Sequence, residues 1–102
     1  MALLIDSINN TENKAWEFSL AGEIDISNAD VFKTKLEDAL AETSQNITID
    51  LAGLNYIDST GLGVIIGVYG AIKKDGLSVK VLNPRDNVKK LLAISGLDNI
   101  LC

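Results

Sequence analysis

Residues 55–67 read NYIDSTGLGVIIG, an apolar segment that runs into an acid and two adjacent hydroxyls, then into a glycine-punctuated hydrophobic run. Asp58, Ser59 and Thr60 are all N-cap types, and Leu62, Ile65, Ile66, Tyr69 and Ile72 recur at helical spacing, so the stretch predicts a helix with Ser59 where it begins. Lys73 and Lys74 close that helix at its negative end. Upstream, NITIDL (46–51) is a β-branched strand, joined to the helix by a loop around Gly53; downstream, LSVKVL (77–82) is another strand.

Further out the alternation continues. Leu3 to Ile8 and Ala15 to Ala21 read as strands, the second with Trp16, Phe18 and Leu20 alternating against Glu17 and Ser19, and the polar NNTEN between them suits a hairpin. Ser27 with Asp30 three positions on has the pattern of a capping box. Ala29, Phe32, Leu36, Ala39 and Leu40 then make the buried stripe of a helix ending near Glu42. Asn83 and Pro84 suit the N-cap and first turn of a last helix, with Val88, Leu91 and Leu92 as its apolar stripe and Gly96 as its C′ residue. Strand and helix in turn call for parallel pairing through right-handed crossovers, and the leading hairpin makes the sheet mixed. The expectation is an α/β fold with one domain over 1–102.

Composition removes several function classes. Nine Lys and Arg against fourteen Asp and Glu leave a net charge of −5, and no basic cluster exceeds two residues, which argues against nucleic acid or an anionic membrane face as partner. The longest uncharged apolar run, 61–72, is well short of the roughly twenty residues of a membrane span, and MALLIDSINN lacks the basic start and long apolar core of a signal peptide. A lone Cys102 forms no internal disulfide. A cytoplasmic chain fits these features.

Enzyme motifs fail one by one. A nucleophile elbow needs glycine two before the serine, where Ile57 stands, and without histidine no Ser-His-acid triad can be assembled. GLGVIIG misses the dinucleotide fingerprint because Ile66 occupies the third glycine position; there is no P-loop, no zinc ligand cluster, and no cofactor is implied. Glu23 and Asp25, with Asp58 as a third candidate, are the only paired acids of interest, and such loop acids are most often simply solvated. Ser59 has two compatible readings, as an N-cap and as a phosphoacceptor, because a helix N-terminus accommodates an anion. Gly63, Gly67 and Gly70 fall opposite the apolar stripe. They mark either close packing against a neighbouring helix or a flat surface for a partner, with Val64 at its margin.

GEIDISNAD (22–30), IDSTGLGVIIG (57–67) and ISGLDNI (94–100), in this order and spacing, resemble the anti-sigma factor antagonists, bacterial stand-alone members of the STAS domain family. The resemblance covers nearly the whole chain. It implies a mixed sheet of four to five strands with about three to four helices, since family members commonly continue past the SGL segment whereas this sequence stops at Cys102. It also implies a non-enzymatic, monomeric, cytoplasmic regulator. Its unphosphorylated form would bind an anti-sigma factor that is also a serine kinase, and release the sigma factor. Phosphorylation on Ser59, with Thr60 as a minor acceptor, would switch binding off, and a protein phosphatase would reverse it. Glu23, Asp25, Asp58, Thr60, Gly61, Leu62 and Gly63 would line the partner surface. The alternatives are a nucleotide-binding or scaffold module of a larger signalling complex.

Overall fold

The computed structural model describes residues 2–97. Its elements are β1 (Leu3–Asn10), β2 (Ala15–Ile24), α1 (Ala29–Glu42), β3 (Asn46–Ile57), α2 (Ser59–Lys73), β4 (Val79–Leu82) and α3 (Asp86–Ile94). The four-stranded sheet has the order β1-β2-β3-β4, antiparallel between β1 and β2 and parallel across the other two pairs. This is the mixed sheet the alternation calls for, with four strands and three helices among the described residues. The expected C-terminal additions, and Cys102, lie outside those residues. No described helix is long and apolar enough to cross a membrane.

Burial alternates along each inner strand, so one sheet face carries the core. Trp16, Phe18 and Leu20 of β2, Ile47, Ile49 and Leu51 of β3, and Val79 and Val81 of β4 point into it. Phe32 and Leu36 of α1, Ile65 and Ile72 of α2, and Val88 and Leu92 of α3 close the same cluster. The Trp16 indole donates to the Thr43 carbonyl at 2.9 Å, so the largest core side chain also holds the end of α1.

β3 does not stop at Leu51 and no loop surrounds Gly53. The strand runs on to Ile57 through two register slips against β2, between Ser19 and Ala21 and between Gly22 and Glu23. At each slip β3 carries one residue more than β2: Asp50 to Gly53 faces Ser19 to Ala21, and Leu54 to Tyr56 faces Gly22 to Glu23. Its buried positions accordingly step by three, from Leu51 to Leu54 to Ile57, and the inward face stays apolar. A strict period of two breaks there, which is why the pattern alone reads as a strand end.

Three cap assignments also change. Asn28, not Ser27, is the N-cap of α1, and the Ser27–Asp30 capping box does not form, because Asp25 takes both the backbone N–H and the hydroxyl of Ser27. Arg85 replaces Asn83 at the start of α3: Asn83 turns the chain with φ 55°, and the Arg85 Nε reaches back to the Ala52 carbonyl at 2.9 Å. The helix α2 does begin at Ser59, but its N-cap is Asp58 rather than Ser59. The end of α3 is as the sequence predicts, with Gly96 following the last turn and the Leu97 N–H bonded to the Leu92 carbonyl at 2.9 Å.

Candidate functional site

Parallel pairing of β2 and β3 builds the site. Ile24 and Ile57 are register partners at the strands' carboxyl ends, so the next residue of each, Asp25 and Asp58, emerges side by side. The Asp58 N–H donates to the Ile24 carbonyl at 3.2 Å and ties the two exits together. GEID and DST, more than thirty residues apart in sequence, thereby become one corner.

Each aspartate organises its own loop. The Asp58 carboxylate accepts the backbone N–H groups of Thr60 at 2.9 Å and Gly61 at 3.3 Å, and the Thr60 hydroxyl as well. It is a helix cap in the strict sense, satisfying N–H groups that the first turn leaves unpaired. The Thr60 hydroxyl, foremost, and these backbone donors hold the Asp58 carboxyl below the usual carboxylate range. Asp25 accepts from the Ser27 hydroxyl and, at 2.9 Å, from the Ser27 N–H, and those bonds likewise lower its pKa, opposed by burial and by the neighbouring Asp58 charge. The Asn28 side chain pins the same loop, accepting the Asp25 N–H at 3.0 Å and donating to the Glu23 carbonyl at 2.9 Å. Turned toward that loop, the Asn28 side chain makes no capping bond to α1.

Ser59 occupies the first helical position, exposed, and takes no part in the bonds that cap α2. Thr60 is half-buried. Gly61 faces inward and lies so close to the strand ends that an added Cβ would be 2.7 Å from Ile24 Cγ2 and from Ile57 Cγ1. Only glycine lets α2 start this near the corner. Leu62 is also buried, so it and Gly61 shape the site from beneath, whereas Gly63 is open to solvent. Glu23 is half-buried at the end of β2, opposite Tyr56.

The apolar stripe of α2 is Leu62, Ile65, Val68 and Ile72; Ile66 is 45% exposed and Tyr69 only half-buried. Gly63 and Gly67 have nothing within 4 Å of a built Cβ, so neighbouring packing does not require them. Instead they floor a groove of about 510 Å³ between α1 and α2, together with Ala29, Val64 and Ala71, and Gly70 is not part of it. Ile26, 80% exposed, follows Asp25 in its loop and lines this groove. Sequence reading passes over Ile26 because alternation from Ile24 would send it inward; the strand ends at Ile24 and the loop turns it out. Among the described residues no three His, Cys, Asp or Glu side chains are grouped to hold a metal ion. The corner therefore offers an exposed hydroxyl at a helix N-terminus, two fixed carboxylates and an exposed apolar side chain.

The sequence profile of the STAS domain family matches residues 8–101. The anti-sigma-B factor antagonist of Bacillus subtilis (strain 168) is 40% identical over 85 residues, which cover 83% of this chain and 77% of the relative. Two solved structures share the fold. The anti-sigma factor antagonist SpoIIAA in its unphosphorylated form superposes with a TM-score of 0.82 at 22% identity, covering 99% of this chain and 86% of that one. The Bacillus cell fate determinant SpoIIAA in the phosphorylated form gives a TM-score of 0.74 at 20% identity, over 99% and 89% of the two chains.

Proposed function

The chain belongs to the STAS domain family, and on that premise we propose that it is an anti-sigma factor antagonist whose binding is switched at Ser59. In the unphosphorylated state it binds an anti-sigma factor and frees the sigma factor which that partner holds. The partner is also a serine kinase. The Ser59 Oγ attacks the γ-phosphorus of ATP, the bond to ADP breaks, and the hydroxyl proton passes to a base of the kinase. A protein phosphatase hydrolyses the phosphoserine and resets the chain. The name of the 40% identical relative favours a sigma-B-type factor as the one released. This chemistry belongs in a bacterial cytoplasm, where ATP and the transcription machinery are.

The observation that carries the reading is the position of Ser59. Its hydroxyl is exposed at the positive end of α2 while Asp58 does the capping, so the residue is free to be modified without unfolding the helix. A phosphate adds about −1.5 to −2 charges at a place where a helix end tolerates an anion. For a partner docked over Asp25, Asp58 and Ile26 the same charge is unmatched, and desolvating it costs several kcal/mol. Every 1.4 kcal/mol, roughly, is tenfold in affinity.

The test is intact-mass analysis after incubation with the anti-sigma kinase and Mg-ATP, followed by mapping of the phosphate and a binding titration of both forms. One phosphate on Ser59 and a large loss of affinity are expected. An unmodified chain, or a modified one that binds equally well, refutes the proposal.

A further inference from the structure

The corner contains two adjacent hydroxyls that the fold treats differently. Ser59 is exposed and outside the capping bonds, whereas the Thr60 Oγ1 and backbone N–H both donate to the same carboxylate oxygen of Asp58. The Asp58 backbone is tied to the other strand, through its N–H bonded to the Ile24 carbonyl, and its carboxylate also accepts the Gly61 N–H at 3.3 Å. The Thr60 side chain is therefore fixed by a charge-assisted bond to a group that cannot easily move.

We propose that Asp58 selects the phosphoacceptor: by binding the Thr60 hydroxyl it withdraws that group from the kinase and leaves Ser59 as the reactive one. This rests on the reading of the corner as a phosphorylation site. Transfer to Thr60 would form a bond from Oγ1 to the γ-phosphorus while the bond to ADP breaks and the hydroxyl proton leaves. Two costs attach to that route. Oγ1 must give up its bond to the carboxylate, and the anionic phosphoryl group must settle against the anionic Asp58. Ser59 takes no part in the bonds to the Asp58 carboxylate and so does not bear the first cost. Asp58 is thus a positioning residue, acting through Thr60 rather than on the nucleotide.

The experiment compares wild type, Asp58→Asn, Ser59→Ala and the double variant Ser59→Ala/Asp58→Asn. Each is incubated as the full chain with the anti-sigma kinase and Mg-ATP, with the phosphate located by peptide mass spectrometry. The amide keeps an oxygen to cap α2 but carries no charge. Wild type should be phosphorylated on Ser59, Asp58→Asn should take phosphate on Ser59 more slowly because Asp58 also faces the partner, and Ser59→Ala should stay essentially unmodified. Each Thr60 rate is therefore read relative to the Ser59 rate of the chain with the same residue at position 58. On that relative scale Thr60 in the double variant should be modified roughly tenfold faster than in Ser59→Ala, the difference between a hydrogen bond to a charged group and one to a neutral amide. Equal relative Thr60 rates with and without Asp58 overturn the proposal. So does an unmodified Thr60 in the double variant when Asp58→Asn alone still takes phosphate on Ser59. Complete loss of Ser59 modification in Asp58→Asn overturns it too, because Asp58 would then be needed for transfer to Ser59 itself and not only for withholding Thr60. A wild-type chain that takes no phosphate refutes the functional reading as well, an outcome distinct from the other three.

Discussion

Gly61 and Gly63 stand two residues apart on α2, and alanine at the two positions should move stability in opposite directions. At Gly61 the new Cβ would lie 2.7 Å from Ile24 Cγ2, 2.7 Å from Ile57 Cγ1 and 3.0 Å from Ile57 Cδ1. Ile24 is 0% and Ile57 3% exposed, and Ile24 Cγ2 is attached directly to a branched Cβ, so it cannot swing aside unless β2 moves. Overpacking of this kind costs about 1–3 kcal/mol, against which alanine recovers about 1 kcal/mol of helix propensity. A net loss of up to about 2 kcal/mol follows. At Gly63 a Cβ meets nothing within 4 Å, so only the propensity gain of about 0.5–1 kcal/mol remains. Urea denaturation should show the two midpoints on opposite sides of wild type with unchanged slope. For a chain of this size each 1 kcal/mol also moves the melting temperature by roughly 4–8 °C. A Gly61→Ala variant as stable as wild type would refute the claim that the missing side chain sets the approach of α2 to the strand ends. A destabilised Gly63→Ala would refute the open floor of the groove.

Ser59→Ala should leave stability within about 0.5 kcal/mol of wild type, because Asp58 rather than Ser59 caps α2, yet lock the chain in its partner-binding state. Denaturation and a sigma-dependent transcription reporter check both halves, and a folded variant with no sigma activity would make Ser59 a docking group instead. Asp25→Ala should weaken partner binding by calorimetry and slow phosphorylation, since it removes both a carboxylate and the loop bonds to Ser27; unchanged affinity would take Asp25 out of the surface. The carboxyls of Asp25 and Asp58 both have lowered pKa values in the folded chain, so their contribution is complete above the unfolded carboxylate range, roughly pH 4, and is lost as pH falls through the folded values. Acid titration of stability should therefore be less steep in Asp58→Asn, and an identical acid limb would show that the capping bonds do not distinguish the charged form. Phosphorylation of Ser59 should shift amide resonances only near 22–28 and 57–64. Changes reaching Val79 or Leu91 would replace a local switch with one through the sheet.

The elements were legible because their periodicities are clean. Phe32 and Leu36, Ile65 and Ile72, Val88 and Leu92 repeat at helical spacing, and Trp16, Phe18 and Leu20 alternate. The corner was legible only in part. Which residues cluster at a helix start is local information, but which of them caps the helix depends on where the preceding strand ends. In β3 that end is set by two slips against β2, invisible to a period of two. The slips have a structural consequence for the site. Between Ser19 and Ile24 β2 advances five residues, while β3 advances seven from Asp50 to Ile57, and the two surplus residues bring Ile57 level with Ile24. Removing either surplus residue would shift the strand exits past each other, separate the Asp58 N–H from the Ile24 carbonyl, and turn the α2 start away from Asp25. The acidic pair beside Ser59 is thus a product of the irregular part of the sheet, the part that strand periodicity cannot read. That places the least regular pairing of the core directly beneath the residues proposed to act on a partner, as expected where bulges re-aim a strand end.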